Sequence, residues 1–170
     1  MSVATPTRIV ALVGNPRPDS RTHTIARTLA TALARAIGDA QTDEVDLAVL
    51  GARVLDRQDR EAGAALERVL AANVLVVASP TYKATYSGLL KAFLDRAGTG
   101  ALRGVRAVPV LLGGAPDHRL GVDVHFTPLL LELGADVPVR GLFVLESELD
   151  RFDETAATWA SRAAPAFSPN

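Results

Sequence analysis

The amino-acid sequence predicts an α/β fold: a doubly wound, five-stranded parallel sheet in the order 2-1-3-4-5, covered by helices on both faces. Three observations carry that expectation. The chain holds five short runs rich in Val and Leu, most of them nearly continuous in apolar residues, as strands buried on both faces require. Between these runs lie stretches whose apolar residues recur every three or four positions, the spacing of a helix with one buried side. Strand and helix alternate throughout, which points to parallel pairing through crossover helices. Five strands rather than six favour the 2-1-3-4-5 order over the six-strand dinucleotide-binding sheet.

The first strand is predicted over residues 8–13 (RIVALV), ended by Gly14. A helix over 22–37 places Ile25, Leu29, Leu33 and Ile37 on one side and stops at Gly38. Residues 44–50 give a second strand, 61–70 a helix with Leu66, Val69 and Leu70 together, and 73–78 (NVLVVA) a third strand. Ser87 opens a helix over 87–97 that Gly98 closes. The fourth strand covers 107–112 (AVPVLL); Pro109 removes a ladder hydrogen bond there and is expected near a strand end or a bulge. A helix over 121–133 stops at Gly134, a fifth strand covers 137–144, and a last helix runs near 154–163. With no repeat and no long linker, one domain is expected over 1–170, with a loose tail from Pro165 to Asn170.

Composition narrows the function classes. Eighteen basic residues face nineteen acidic ones, a formal net charge of −1, so no electrostatic footprint for nucleic acid is expected. The near-neutral balance also argues against a small acidic carrier that docks on basic partners. No cysteine is present, which removes thiol nucleophiles and Cys-based zinc sites. His23, His118 and His125 lack metal-ligand spacing, and no GxSxG elbow for a serine hydrolase occurs. The polar start at residues 1–7 is unlike a secretory leader, and no apolar run reaches the roughly 18 residues that span a bilayer. A cytoplasmic protein with no membrane partner is expected.

The fold predicts where a ligand binds: outside the carboxyl ends of the strands, where the strand order reverses between the first and third. The loops after strands one, three and four meet there. The first, GNPRPDSRTHT over residues 14–24, brings Asn15, Arg17, Ser20, Arg21 and Thr22 to the start of a helix. Unpaired N–H groups and the positive dipole end favour a phosphate at such a place, and hydroxyls and guanidinium groups complete the cradle. Plain capping by Ser20 or Thr22 is the competing explanation. The second loop, SPTYKATYS over 79–87, holds Pro80, Thr81, Tyr82, Lys83 and Tyr86, and both tyrosines of the chain. A ring beside a flat heterocycle would explain their placement; so would shielding of the sheet end. In the third loop, GGAPDH over 113–118, Gly113 and Gly114 let backbone come close to a planar ligand, or simply form a turn.

Together these stretches resemble the NAD(P)H-dependent FMN reductase family, flavodoxin-like proteins that include the reductase partners of two-component alkanesulfonate monooxygenases. The likeness runs through roughly residues 8–149 and is strongest over 79–95, SPTYKATYSGLLKAFLD, against the family pattern SP-x-Y followed by SG-x-LK-x-F-x-D. GNPRPDSRT is similar to the family's phosphate loop, and Gly113–Gly114, residues 118–123 and residues 128–130 continue the match in order.

The resemblance implies a flavodoxin-like sandwich and an NAD(P)H-dependent FMN reductase that passes a hydride from NADPH or NADH to flavin N5. Ser20, Arg21 and Thr22 would hold the FMN phosphate with Asn15 and Arg17 beside them. Pro80, Thr81, Tyr82 and Lys83 would line the ring and ribityl chain, and Gly113 and Gly114 the pyrimidine side. No acid or base need act, so no catalytic residue is assigned. The resemblance also implies a homo-oligomer, dimer or tetramer, for which residues 87–95 and 121–133 are natural packing helices. A flavin-dependent monooxygenase would be the partner that receives reduced FMN. Two departures stand out. Asn15 occupies a position where the family usually has serine, and Val124–His125 follow Asp123 where flavin-releasing reductases often carry a tyrosine. Two other readings stay open: an FMN-retaining reductase of quinones, azo compounds or other small acceptors, and a flavodoxin-type electron carrier.

Overall fold

The computed structural model describes residues 6–168. Its five strands are β1 (Thr7–Val13), β2 (Ala40–Asp46), β3 (Val74–Pro80), β4 (Arg106–Gly113) and β5 (Leu142–Leu145), all parallel in the order β2-β1-β3-β4-β5. The helices are α1 (Arg21–Ile37), α2 (Leu47–Leu50), α3 (Arg60–Leu70), α4 (Gly88–Leu94), α5 (Thr127–Glu132) and α6 (Phe152–Ala163). The flavodoxin-like architecture expected from the sequence is therefore the one found.

Strand alternation divides the apolar residues between two layers. Ile9, Ala11 and Val13 of β1 and Val74, Val76 and Ala78 of β3 pack with Ile25, Leu29 and Leu33 of α1 and Ala156 and Ala160 of α6. Val10, Leu12, Leu75 and Val77 point the other way, toward Val69 of α3, Leu90 and Phe93 of α4 and Leu130 of α5. Both faces are buried, which is why the central strands are apolar without interruption.

Four expectations are corrected. The second strand lies at Ala40–Asp46, not 44–50, and Leu47–Leu50 is a helical turn. Asp46 caps that turn by accepting from the Ala48 N–H at 3.0 Å. The strand is an edge, and its polar run AQTDEVD suits an exposed border while hiding the strand from an apolar search. The fifth strand spans only Leu142–Leu145; Pro138 stands in the stretch before it, and Asp136 keeps one isolated bridge to Arg106. The helix expected over 121–133 opens as a π-helical turn, Val122–Phe126, before α5. Pro128 has no N–H to give to the carbonyl four residues back, and the Thr127 N–H donates to the Val122 carbonyl, five residues back. Lastly, the tail expected to be loose is anchored: Ala164–Ala166 forms a 3-10 turn and Phe167 is 1% exposed. Residues 169–170, and residues 1–5 of the polar start, lie outside the described part.

Pro109, expected near a strand end or a bulge, is a fifth correction: it sits in the middle of β4, in unbroken register with β3 and opposite Val77. Its neighbour Ala107 directs its N–H to Asp136, on the β5 side, whereas Arg106 donates to Asn73 on the β3 side. By alternation Pro109 faces the β5 side, where pairing begins only at Val110 and Leu142. The missing N–H therefore interrupts no ladder.

On the β2 edge, Asp43 accepts from Arg68 and from Arg8, the latter at 3.0 Å. The Arg68 hydrogen bond is the largest cause that holds the Asp43 carboxyl below its ordinary value of 3.8, against the opposing effect of partial burial. A lowered carboxylate contributes stability above its unfolded pKa and loses it as the pH falls through the folded one. Asp43→Asn is accordingly expected to lower Tm at neutral pH, with the gap to the parent protein closing as the pH falls below 3.8. A constant gap across thermal melts from pH 7 to acid would contradict this; both partners are partly exposed, so the effect is small.

Candidate functional site

Three loops rise from the carboxyl ends of β1, β3 and β4, at the point where the strand order reverses. The first is fixed by its own polar groups. Ser20 caps α1, its Oγ accepting from the His23 N–H at 3.2 Å. Asn15, 8% exposed, accepts from the Arg17 N–H at 2.9 Å and donates through Nδ2 to Thr22 Oγ1 at 2.9 Å. Thr22 is fully buried, so Asn15 and Thr22 shape the loop from beneath while Arg17 and Arg21 are exposed on it. Among the described residues the Arg21 and Thr22 N–H groups at the helix start have no protein acceptor. Arg21 instead spends its guanidinium on Glu146, at 2.9 Å, just past β5.

The second loop is a two-residue hairpin. Tyr82 N–H donates to the Thr85 carbonyl at 2.8 Å and Thr85 N–H to Tyr82 at 3.2 Å. Lys83 and Ala84 form its tip with φ of 51° and 67°, the left-handed pair that a tight hairpin needs and that Asn-Gly usually supplies. These two and Asp19 (φ 50°), in the first loop, are the non-glycine residues with positive φ among the described ones. Left-handed strain of this kind is found where geometry serves a site. Ala84→Gly is expected to raise stability by about 0.5–1 kcal/mol, the relief of the left-handed cost less the entropy of glycine; an unchanged or lower denaturant midpoint would show that the tip is unstrained.

Below the hairpin, Ser79 and Ser87 lock two loops together. Ser79 Oγ donates to the Pro80 carbonyl at 2.8 Å and accepts from the Ser87 N–H at 2.8 Å. Ser87 Oγ donates to the Gly14 carbonyl and accepts from the Leu90 N–H, which caps α4. Pro80 is buried at the end of β3. The two tyrosines part company: Tyr82 is 44% exposed, whereas Tyr86 packs on Phe126, with ring centroids 5.3 Å apart, and serves the core.

In the third loop, Gly113 is buried; a Cβ there would stand 2.8 Å from Phe143 Cζ and 3.1 Å from Thr81 Oγ1. Gly114 is exposed, with open space where a side chain would be. Farther on, a Cβ at Gly121 would lie 2.5 Å from the Ala84 carbonyl oxygen, so the start of the π-helical turn presses on the hairpin. Two buried polar atoms here have no hydrogen-bond partner: Thr81 Oγ1 and His118 Nδ1. Orphaned buried groups are rare; a third among the described residues, Arg96 Nε, lies away from the three loops.

The structure thus brings Asn15, Arg17, Ser20, Arg21 and Thr22 together at one helix start, and Pro80, Thr81, Tyr82, Lys83, Gly113 and Gly114 around the neighbouring strand ends. Sequence reasoning missed Ser79, Phe143, Glu146 and the fit of Gly121, and read Ser87 only as the helix cap that it is, not as a link to Ser79 and Gly14. Only Ser87 carried a local signal, as a helix cap; the others meet their partners across strands. Two grooves lie away from these loops. One of about 560 Å³ runs between α1 and α6, lined by Arg27, Arg35 and Asp153, and one of about 790 Å³ lies beside Arg106, Asp136 and Ala166. Neither is lined by any residue of the three loops.

A family model described as NADPH-dependent FMN reductase matches residues 7–150. An FMN reductase (NADPH) of Pseudomonas aeruginosa is 30% identical over 97% of this chain and 95% of its own. The NADH-dependent FMN reductase SfnF of Pseudomonas putida is 30% identical over 86% of this chain and 80% of its own. Among solved structures, the apo form of an NADH:FMN oxidoreductase, EMOB, superposes with a TM-score of 0.84 at 31% identity, covering 95% of this chain and 88% of that one.

Proposed function

The chain belongs to the NADPH-dependent FMN reductase family, and we propose that it binds FMN across the three loops, phosphate at the start of α1 and ring between the second and third. What carries this reading is the gathering of unspent hydrogen-bond capacity at one end of the sheet: the Arg21 and Thr22 N–H groups, Thr81 Oγ1 and His118 Nδ1. The residues fit the group. A helix start with a serine cap and two exposed arginines suits a phosphate, and the bare backbone at Gly114 leaves room for a flat ring.

FMN supplies the chemistry itself, accepting a hydride from NADPH or NADH. The protein's part is position. Ser20 and the first-turn N–H groups anchor the phosphate, and Arg17 and Arg21 offset its charge. Thr81 and His118 would flank the ring edge, and the exposed Tyr82 ring would give an apolar wall open to solvent on one side. The Ser79–Ser87 pair holds the first two loops at a fixed separation, which matters because a displacement near 1 Å costs hydride-transfer geometry dearly. No side chain is needed as acid or base. The exposed apolar residues Leu120, Val124 and Leu131 lie on or next to residues 121–133, a natural packing helix for the homo-oligomer that the family resemblance implies, and so support that assembly. Release of reduced FMN to a flavin-dependent monooxygenase is the role we assign to the product.

The test is a visible spectrum of the purified protein, then NADPH and NADH addition with and without FMN. Oxidation of either nucleotide only when FMN is supplied supports a flavin-releasing reductase. A yellow protein bleached without added FMN points to a retained flavin and another acceptor. No oxidation under either condition rejects the enzyme reading.

A further inference from the structure

We infer that Glu146 sets how tightly FMN is held, by competing with the flavin phosphate for the Arg21 guanidinium. The inference rests on the reading that the phosphate sits at the start of α1. Arg21 is the first residue of that helix, directly after the Ser20 cap, yet its Nη1 lies 2.9 Å from Glu146 Oε2. The pair joins positions 125 residues apart: Glu146 opens the turn that follows β5, and Arg21 follows β1. It therefore ties two segments at the same carboxyl end of the sheet that hosts the three loops. Both side chains are well exposed, 66% and 48%, so the contact can open without breaking the core.

A phosphate monoester carries close to two negative charges at neutral pH, and a guanidinium binds such a group through two parallel hydrogen bonds. A single guanidinium turned toward Glu146 is withdrawn from that pairing. With FMN bound, Arg21 has two anions to choose between; when FMN leaves, Glu146 takes the arginine back. The carboxylate thus lowers phosphate affinity and shortens the residence of the flavin, as a protein that hands FMN onward requires. Arg17, exposed and in no ion pair among the described residues, keeps a permanent cation at the loop. Glu148, in the same turn, makes no ion pair with Arg21 and shares only the general field.

Titration of FMN into the full chain at low ionic strength, with dissociation rates from stopped-flow fluorescence, tests this. Glu146→Gln is expected to tighten FMN about two- to fivefold, the range that an exposed ion pair supports, mainly through slower dissociation. Riboflavin, which lacks the phosphate, should bind unchanged. Glu148→Gln should leave FMN affinity within error of the parent, and in an Arg21→Gln background the Glu146→Gln gain should vanish. Equal tightening by Glu146→Gln and Glu148→Gln, or persistence of the gain without Arg21, overturns the competition. So does unchanged affinity in Glu146→Gln while Arg21→Gln still weakens FMN. If Arg21→Gln and Ser20→Asp both leave the FMN-to-riboflavin ratio unchanged, the phosphate placement itself has failed, and the competition falls with it.

Discussion

Gly121→Ala is expected to destabilise the protein by about 1–3 kcal/mol, as forced overpacking does, and to weaken FMN at least about tenfold, a further loss near 1.4 kcal/mol in binding. The added methyl would stand 2.5 Å from the Ala84 carbonyl oxygen and 3.3 Å from Leu111 Cδ1. A backbone carbonyl cannot swing aside as a side chain can. Ala84 is already left-handed at the hairpin tip, and the Tyr82–Thr85 bonds fix the peptides on either side. The collision must therefore move the whole hairpin, with Tyr82 and Lys83, away from the third loop. Gly63→Ala is the contrast: in α3 nothing lies within 4 Å of its Cβ position, so the alanine should stabilise by up to about 1 kcal/mol through helix propensity alone. Thermal melts and FMN titration of the two variants decide the matter. Parent-like melting and FMN affinity in Gly121→Ala would mean that the hairpin and the π-helical turn do not bear on one another.

That pressure between residues 84 and 121 shows where the sequence was legible and where it was not. β1, β3 and β4 could be read because they are buried on both faces and announce themselves as RIVALV, NVLVVA and AVPVLL. β2 could not, because an edge strand carries polar residues, and the apolar Leu47 and Leu50 just beyond it drew the expected strand four residues too far. β5 was overextended for a related reason: Val137 and Val139 supply apolar character, but Pro138 lies between them and the sheet has not yet reached them. The loops proposed as the site stand out in composition, since a hydroxyl- and arginine-rich helix start and a paired glycine turn are local signals. Their division of labour was not. Thr22 faces inward to Asn15, Tyr86 serves Phe126, and Arg21 meets a carboxylate 125 residues away; each outcome depends on which elements the sheet order sets side by side.

Ser20 separates the two explanations that its position always allowed, helix cap or phosphate ligand, because one substitution keeps the first and abolishes the second. Aspartate caps a helix as well as serine does and its charge suits the positive end of α1, so Ser20→Asp should fold with a Tm close to that of the parent. The same carboxylate beside a phosphate brings like charges together at a cost of several kcal/mol, and FMN affinity should fall by about a hundredfold or more. Ser20→Ala inverts the pattern. It removes the acceptor for the His23 N–H, which costs about 1 kcal/mol of stability, but it introduces no charge, and FMN should weaken by about tenfold or less. Riboflavin, with no phosphate to repel, should bind Ser20→Asp and the parent alike. Parallel FMN and riboflavin titrations, with a thermal melt of each variant, read all three effects. If Ser20→Asp binds FMN as the parent does, the phosphate is held elsewhere, and Ser20, for all its place at the mouth of the site, is only the cap of α1.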